Sequence, residues 1–263
     1  MRRYSRLPII FVVALAMSCG SGGGLGGSVS LDQEWQLGQQ LAAQVQQQMR
    51  LVNDPQALSY LREMGERIHR ATPLADRPFN FYIVDDPSVN AFSLPGGHVY
   101  VNTGLIGATQ KSDELAAVVA HETAHIVLRH SIQQMEQAQE INAIGSILLG
   151  QNPGALQQIA AQIIAGGVMA RFSRADEKAA DDTGLQLMAN AGYDPHGMLD
   201  MFQRLLALDA SRPSAVARFF QDHPGTQDRI NDISARVNKM GSTRGIVDDP
   251  GFSSIKRVGV TPQ

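Results

Sequence analysis

The segment His121-Glu122-Thr123-Ala124-His125 combines the residue types and the spacing of a catalytic metal-binding helix. Residues four apart in a helix lie on one face, one turn above each other, so both imidazoles can reach the same ion. Glu122 stands beside them and can act as a general base toward a water molecule. Apolar residues flank the segment on both sides, and burying these polar groups is costly unless partners satisfy them. The pattern predicts that His121 and His125 bind zinc in a buried helix.

A catalytic zinc normally has three protein ligands, so a third ligand must follow. The metzincin pattern requires a glycine and a histidine soon after the second histidine, but Leu128 and Ser131 occupy those positions. His130 is one residue short of that pattern, and we expect it only to cap or decorate the end of the helix. A downstream carboxylate is therefore the better candidate.

Glu177 and Asp181 are four residues apart and would share one helix face. We predict that Glu177 is the third ligand and that Asp181 accepts the free N–H of a ligand histidine, which fixes the tautomer of that ring. The alternative is an ordinary charged helix face with pairs of side chains one turn apart. Apolar neighbours of the pair favour a partly buried helix. They are Ala179, Ala180, Leu185 and Leu187.

The run His-Glu-x-x-His followed by Ser-Arg-x-x-Glu-x-x-Ala-Asp resembles the gluzincin metallopeptidases of the HtpX and BepA–LoiP kind, relatives of the membrane-embedded CAAX prenyl proteases. The resemblance covers roughly residues 31–240. Its further matching segments are 90–92, 95–101, 192–195 and 223–230.

The resemblance implies an α+β fold, a mostly helical zincin-like domain with a small antiparallel sheet beside the active-site helix. It also implies that a peptide substrate adds as an extended strand to the sheet edge formed by Asn90, Ala91 and Phe92. The alternative is a hairpin that serves only as scaffold.

The resemblance gives His223 and Arg229 a role as donors to the tetrahedral intermediate. His223 has a second possible role, because the equivalent histidine in relatives can occupy the open zinc position and switch the enzyme off. A third interpretation is a structural histidine at a helix start. The sequence leaves these alternatives open.

The N-terminus predicts a targeting segment. Arg2, Arg3 and Arg6 precede an apolar core over residues 7–17, which is too short to span a membrane. Cys19 is the only cysteine, and its position after this core resembles a bacterial lipobox, so we expect it to carry a lipid. A plain secretory signal, or a cysteine there by chance, is the alternative.

These patterns predict four parts of the chain: a signal peptide and lipobox (1–19), a Gly/Ser tether (20–30), a zinc metallopeptidase domain (31–240) and an irregular tail (241–263). Between the metal helices, residues 131–170 are rich in Gln, Ala and Ile. We expect a helical hairpin there, which acts as a lid or as a contact with membrane-bound clients.

The chain has 263 residues, and its formal net charge of −3 argues against a nucleic-acid partner. We predict an endopeptidase with one zinc per chain that hydrolyses misfolded or unassembled envelope proteins. We expect the enzyme to lie in the periplasm, attached to the outer membrane by a lipid anchor. One alternative is a latched, mainly chaperone-like factor for outer-membrane protein assembly, whose partner is the assembly machinery. Another is a maturation protease with one substrate.

Overall fold

The computed structural model describes residues 29–137, 141–166, 172–224, 226–241 and 245–260. Strands in this part of the chain are β1 (Asn80–Val84), β2 (Ala91–Leu94) and β3 (His98–Asn102). Its helices are α1 (Leu31–Gln48), α2 (Pro55–His69), α3 (Thr103–Ala108), α4 (Ser112–Val127), α5 (His130–Gln137), α6 (Ile141–Leu148), α7 (Pro153–Gly166), α8 (Arg174–Asn190), α9 (His196–Ser211), α10 (Pro213–Asp222), α11 (Thr226–Met240) and α12 (Phe252–Lys256).

The three strands form one mixed sheet in the order β1–β3–β2. Strands β2 and β3 make the expected antiparallel hairpin, whose turn requires positive φ at Gly96 (76°) and Gly97 (84°), a conformation that glycine adopts without strain. Strand β1 instead pairs in parallel with β3, from Asn80 opposite His98 onward. The predicted mostly helical α+β fold is confirmed. The small sheet was predicted to be antiparallel, which holds for β2 and β3, while β1 adds a parallel pair on the other edge of β3.

Helix α4 lies at the centre of the molecule. Every residue from Ser112 to Ile126 is buried, which is typical of a helix that other elements surround on all sides. Helices α2, α8 and α9 and the hairpin pack around it. The central position of α4 takes His121 and His125 out of bulk water.

A second apolar core lies on the other side of the sheet, between α1 and the α6–α7 hairpin. It joins Leu37 and Leu41 of α1 to Ile144 and Ile163 of the hairpin. The stretch that we expected to form a lid or a client contact thus contains two helices that pack on α1. Among the described residues, we find no helix with the length and apolar character that crossing a membrane requires.

The domain extends beyond both of its predicted ends. Ser30, expected in the tether, caps α1 in a capping box with Gln33. Residues 245–260, expected to be irregular, include α12, which buries Phe252 and Ile255. The Nζ of Lys256 donates to the carbonyl groups of Ile106, Gly107 and Thr109 at the C-terminal end of α3. Two buried apolar side chains and the half-buried ammonium of Lys256 attach residues 245–260 to the domain.

Candidate metal centre

Helix α4 brings its two histidines together as their spacing predicts. The Nε2 atoms of His121 and His125 lie 3.0 Å apart. Both rings are buried, with 5% and 1% of the residue exposed. Glu122, one position after His121, is also buried. The spacing of the two histidines in the sequence explains their proximity, because a helix turn places residues i and i+4 side by side.

Helix α8 supplies the carboxylate. Ser173 and Asp176 form a capping box at its start, so Glu177 falls at the end of the first turn and points to α4. Its Oε2 lies 3.5 Å from His121 Nε2, and its Oε1 lies 3.5 Å from His125 Nε2. Glu177 is fully buried.

A fourth donor comes from His223, which ends α10 and is fully buried. Its Nδ1 lies 3.0 Å from Glu177 Oε1 and 3.4 Å from His121 Nε2. The candidate donor atoms of His121, His125, Glu177 and His223 all lie within 4.8 Å of one another.

The spacing of these donors fits a zinc ion. Zinc ligands at about 2.0–2.1 Å in a tetrahedron stand about 3.3 Å apart. The donor pairs given above are separated by 3.0 to 3.5 Å. Three imidazoles and one carboxylate are also ligand types that zinc accepts. With His223 included, the donor set has four members, which is the number of a closed site rather than of one with a free position.

Asp181 lies behind His121. Its Oδ1 is 3.0 Å from His121 Nδ1, the atom that faces away from the donor set. Arg229 donates to both oxygens of Asp181, through Nε and Nη2 at 2.7 Å each, and its Nη1 is 2.5 Å from Glu177 Oε2. Burial alone would raise the pKa of Asp181, but the Arg229 charge and hydrogen bonds hold it below its usual range.

Arg229 is therefore engaged with two carboxylates in this conformation. Its guanidinium also lies 4.4 Å from the centre of the Phe202 ring, and the residue is 5% exposed. The sequence-based role as a donor to the reaction intermediate stays a prediction. The contacts describe a cation that balances the buried charges of Glu177 and Asp181.

The candidate base is held between the sheet and His223. Ser93 Oγ donates to Glu122 Oε2 at 2.9 Å, and His223 Nε2 lies 3.5 Å from Glu122 Oε1. Sequence reasoning missed Ser93, because only the hairpin register shows that this side chain faces α4.

Strand β2 lies at the edge of the sheet, as expected, and helix α10 contacts the two residues that precede it. All four residues of β2 are buried. Asn90 Nδ2 donates to Asp222 Oδ2 at 3.1 Å, and Val89 N donates to Ala215 O at 3.0 Å. The Phe92 ring stacks on Tyr100 at 4.8 Å in the second core. Alternation along the strand turns the Phe92 side chain away from α4 and the Ser93 side chain toward it, and the role of Asn90, Ala91 and Phe92 as a substrate edge stays a prediction.

Burial and neighbouring charges separate the pKa values of the two α4 histidines. Burial lowers the pKa of His125 well below its ordinary value. Burial also disfavours the charged form of His121, but hydrogen bonds and charges from Asp181 and Glu177 outweigh it and raise the pKa of His121 to about 9. A metal would bind Nε2 of His121 only with that nitrogen deprotonated.

We expected His130 only to cap or decorate the end of the helix. The structure buries it, with its Nδ1 2.9 Å from His125 Nδ1. Phe172 stacks on the other side of His125, with ring centroids 4.0 Å apart. The only signal was a histidine five residues after the second ligand histidine, and a continuous helix would have turned it away.

Comparison with known proteins agrees with this site. The family model described as Peptidase family M48 matches residues 55–237. The Beta-barrel assembly-enhancing protease of Escherichia coli (strain K12) is 31% identical over 226 residues, which are 82% of this chain and 46% of that protein. Mitochondrial metalloendopeptidase OMA1 of Schizosaccharomyces pombe is 33% identical over 174 residues, 66% of this chain and 51% of that protein. Metalloprotease LoiP of Escherichia coli (strain K12) is 28% identical over 172 residues, 63% of this chain and 65% of that protein.

The chain belongs to peptidase family M48, the metallopeptidase family that includes these relatives. The resemblance to enzymes of the BepA–LoiP kind is thereby confirmed. The chain spans about half the length of the first two relatives. Cys19 and the rest of the predicted signal and lipobox lie outside the described residues, so lipidation stays a prediction.

Proposed function

We propose that this protein is a zinc-dependent endopeptidase that hydrolyses misfolded or unassembled proteins of the cell envelope. The observation that carries the proposal is the convergence of three donors, His121, His125 and Glu177, beside the buried carboxylate of Glu122. A purely structural zinc site has no use for Glu122, whereas peptide hydrolysis requires a base at that position.

The reaction divides among the residues of this chain as follows. Zinc, when bound, would supply Lewis-acid polarisation of the scissile carbonyl and of the attacking water. Glu122 takes the proton of that water and later gives it to the leaving amine. Ser93 orients Glu122 through the 2.9 Å hydrogen bond to Oε2, and Asp181 orients His121 through its Nδ1. Asn90 and Ala91 provide the backbone edge to which an extended peptide would pair.

The envelope assignment is supported by the predicted signal segment with Cys19 and by the relative named Beta-barrel assembly-enhancing protease. We propose a periplasmic location with a lipid anchor in the outer membrane. Partners of the outer-membrane protein assembly machinery belong to the same proposal. Pairing along a strand edge uses the backbone of the substrate, so broad specificity follows.

A second candidate function is a latched factor that acts mainly as a chaperone in outer-membrane protein assembly. The observation that favours it is the place of His223 as a fourth donor, together with the hydrogen bond from Asn90 to Asp222 of α10. In that arrangement a bound zinc would have no open water position, and α10 would occupy the chain just before the substrate edge. The two functions are compatible if α10 moves when a client binds.

The experiment that tests the proposed function compares casein cleavage by the protein with that by Glu122→Gln, with zinc measured in the same samples. We expect one zinc per chain in both proteins and a loss of about 10²–10⁴-fold in cleavage in the variant. Cleavage is also compared between His223→Ala and the double variant His223→Ala with Glu122→Gln, in which the proposed latch is absent. Equal cleavage by both members of that pair would contradict the role of Glu122, and absence of zinc would contradict the site.

A further inference from the structure

The two α4 histidines differ in what lies behind their rings. His121 has the carboxylate of Asp181 at its Nδ1. His125 has another imidazole, since its Nδ1 lies 2.9 Å from His130 Nδ1. Both partners are buried, with 3% of Asp181 and 5% of His130 exposed.

This contact permits only one arrangement of protons if His125 binds a metal through Nε2. A neutral ring that donates its Nε2 lone pair to a metal carries its proton on Nδ1. That N–H of His125 then points at His130 Nδ1, which must be the acceptor. His130 in turn carries its proton on Nε2, on the side where Asp176 Oδ1 lies 3.9 Å away.

The backbone places His130 there by a sharp reversal. Arg129 has a φ of 58°, the only positive φ among non-glycine residues in the part of the chain that the structure describes. Helix α4 ends at Val127 and α5 begins at His130, with this left-handed residue between them. In an uninterrupted helix, residue 130 would lie about 140° around the axis from His125 and could not meet its ring. The strained residue is thus what turns His130 back toward the site.

Contacts from α1 hold the strained residue. Arg129 Nε donates to Glu34 Oε2 at 2.6 Å, and Arg129 Nη2 donates to the carbonyl of Val29 at 2.5 Å. Glu34 is 1% exposed, so water could not solvate its carboxylate in place of Arg129. Helix α1 lies outside the segment 55–237 that matches the family model.

We propose that His130 is a positioning residue whose Nδ1 accepts the Nδ1–H of His125 and thereby fixes the tautomer and ring orientation with which His125 binds the metal. Arg129 and Glu34 hold it in place from α1. The inference rests on the proposed zinc site, and it adds an imidazole partner for His125 that matches the carboxylate partner of His121. Phe172 stacks on the face of the His125 ring, with centroids 4.0 Å apart, and so also limits the orientation of that ring.

The test is the zinc affinity of the full chain, measured by competition with a chelator, for the wild type, His130→Leu and His130→Asn. The Asn amide can place its oxygen where Nδ1 of the imidazole was, so it keeps an acceptor, whereas Leu removes it. We expect zinc binding to weaken about 10–100-fold in His130→Leu and to stay within about threefold of the wild type in His130→Asn. His69→Leu is the matched control, since His69 is another buried histidine, whose Nε2 contacts Leu74 O. It should lower stability without changing zinc affinity.

Two results would overturn the inference: a His130→Leu protein that binds zinc as tightly as the wild type, or equal weakening in the Leu and Asn variants. Absence of zinc binding by the wild type would instead contradict the proposed metal site. Should His130→Leu fail to fold in the metal-free state, the ring tautomers of the zinc-loaded wild type decide by ¹⁵N NMR. A proton on Nε2 of His130 supports the inference, and a proton on its Nδ1 contradicts it.

Discussion

His223 Nδ1 lies 3.0 Å from Glu177 Oε1, although the two residues are 46 positions apart in the sequence. This contact places the end of α10 within the donor set that α4 and α8 form. A catalytic zinc site keeps one position for water or substrate, and a fourth protein donor removes that position. If zinc binds these four donors, we predict that this conformation is the latched one, and that α10 withdraws before a peptide can react.

Removal of the His223 ring should open the site. We expect His223→Ala to retain zinc through the three remaining donors and to cleave casein at least about tenfold faster than the wild type, because an open position returns. His196→Ala serves as the control, since that side chain is 45% exposed and far from the donors in sequence. Loss of cleavage with zinc retained would instead favour the role of His223 as a donor to the reaction intermediate.

Arg229 should be more important for stability than its single charge suggests. Arg229→Ala leaves the carboxylates of Glu177 and Asp181 buried without their cation, and removing one partner of such a group costs about 3–5 kcal/mol. Arg229→Lys keeps the charge but cannot donate to both oxygens of Asp181, so a smaller loss is expected. Urea unfolding of the metal-free proteins measures both. Equal stability of wild type and Arg229→Ala would show that the charges are not coupled.

The left-handed backbone at Arg129 predicts an unusual order of two substitutions. Both Arg129→Gly and Arg129→Ala remove the partner of Glu34, but only glycine adopts a φ of 58° without strain. We expect the glycine variant to be more stable than the alanine variant by about 1 kcal/mol. In an ordinary helix glycine would be the less stable of the two. Thermal unfolding of the metal-free variants checks the order, and the reverse order would contradict the conformation.

Asp113 should make stability depend on pH. Burial raises its pKa to about 7, against opposing effects such as the Lys111 charge, while Glu114 and Asp200 add to the rise. The folded state then binds the proton more tightly than the unfolded state. The stabilising contribution is fully present below pH about 4 and is lost as pH rises to about 7.

Asp113→Asn should therefore stabilise the protein at pH 8, by about 2–4 kcal/mol, and have little effect near pH 4. Asp209→Asn, at an exposed position, is the control. Stability is compared at both pH values on metal-free protein, so that metal loss does not enter the difference. A variant that is no more stable at pH 8 than the wild type would contradict the burial of an ionised carboxylate.

The parts of the site that the sequence predicted are those set by one helix. His121, Glu122 and His125 follow from the spacing on α4, and Glu177 with Asp181 from the spacing on α8, because helix geometry is local. The hairpin was predicted for the same reason, since Pro95-Gly96-Gly97 marks its turn.

The parts that the sequence did not predict depend on contacts between distant segments. Three contacts join residues that no local pattern relates. They are the parallel pairing of β1 with β3, the hydrogen bond from Ser93 to Glu122 and the hydrogen bond from Asn90 to Asp222. His130 escaped prediction because a left-handed residue is rarely an arginine. Helix α12 was not predicted because its segment has few apolar residues, and the three carbonyl groups at the end of α3 that Lys256 binds are distant in sequence.

The most direct test of the central claim is the number and type of zinc ligands in the resting protein. Zinc X-ray absorption spectroscopy on the purified protein, together with metal analysis, should give one zinc per chain with three imidazoles and one carboxylate oxygen. In His223→Ala the imidazole number should fall to two while zinc is retained. A protein that binds no zinc, or whose zinc has the same ligands with and without His223, would contradict the site described here.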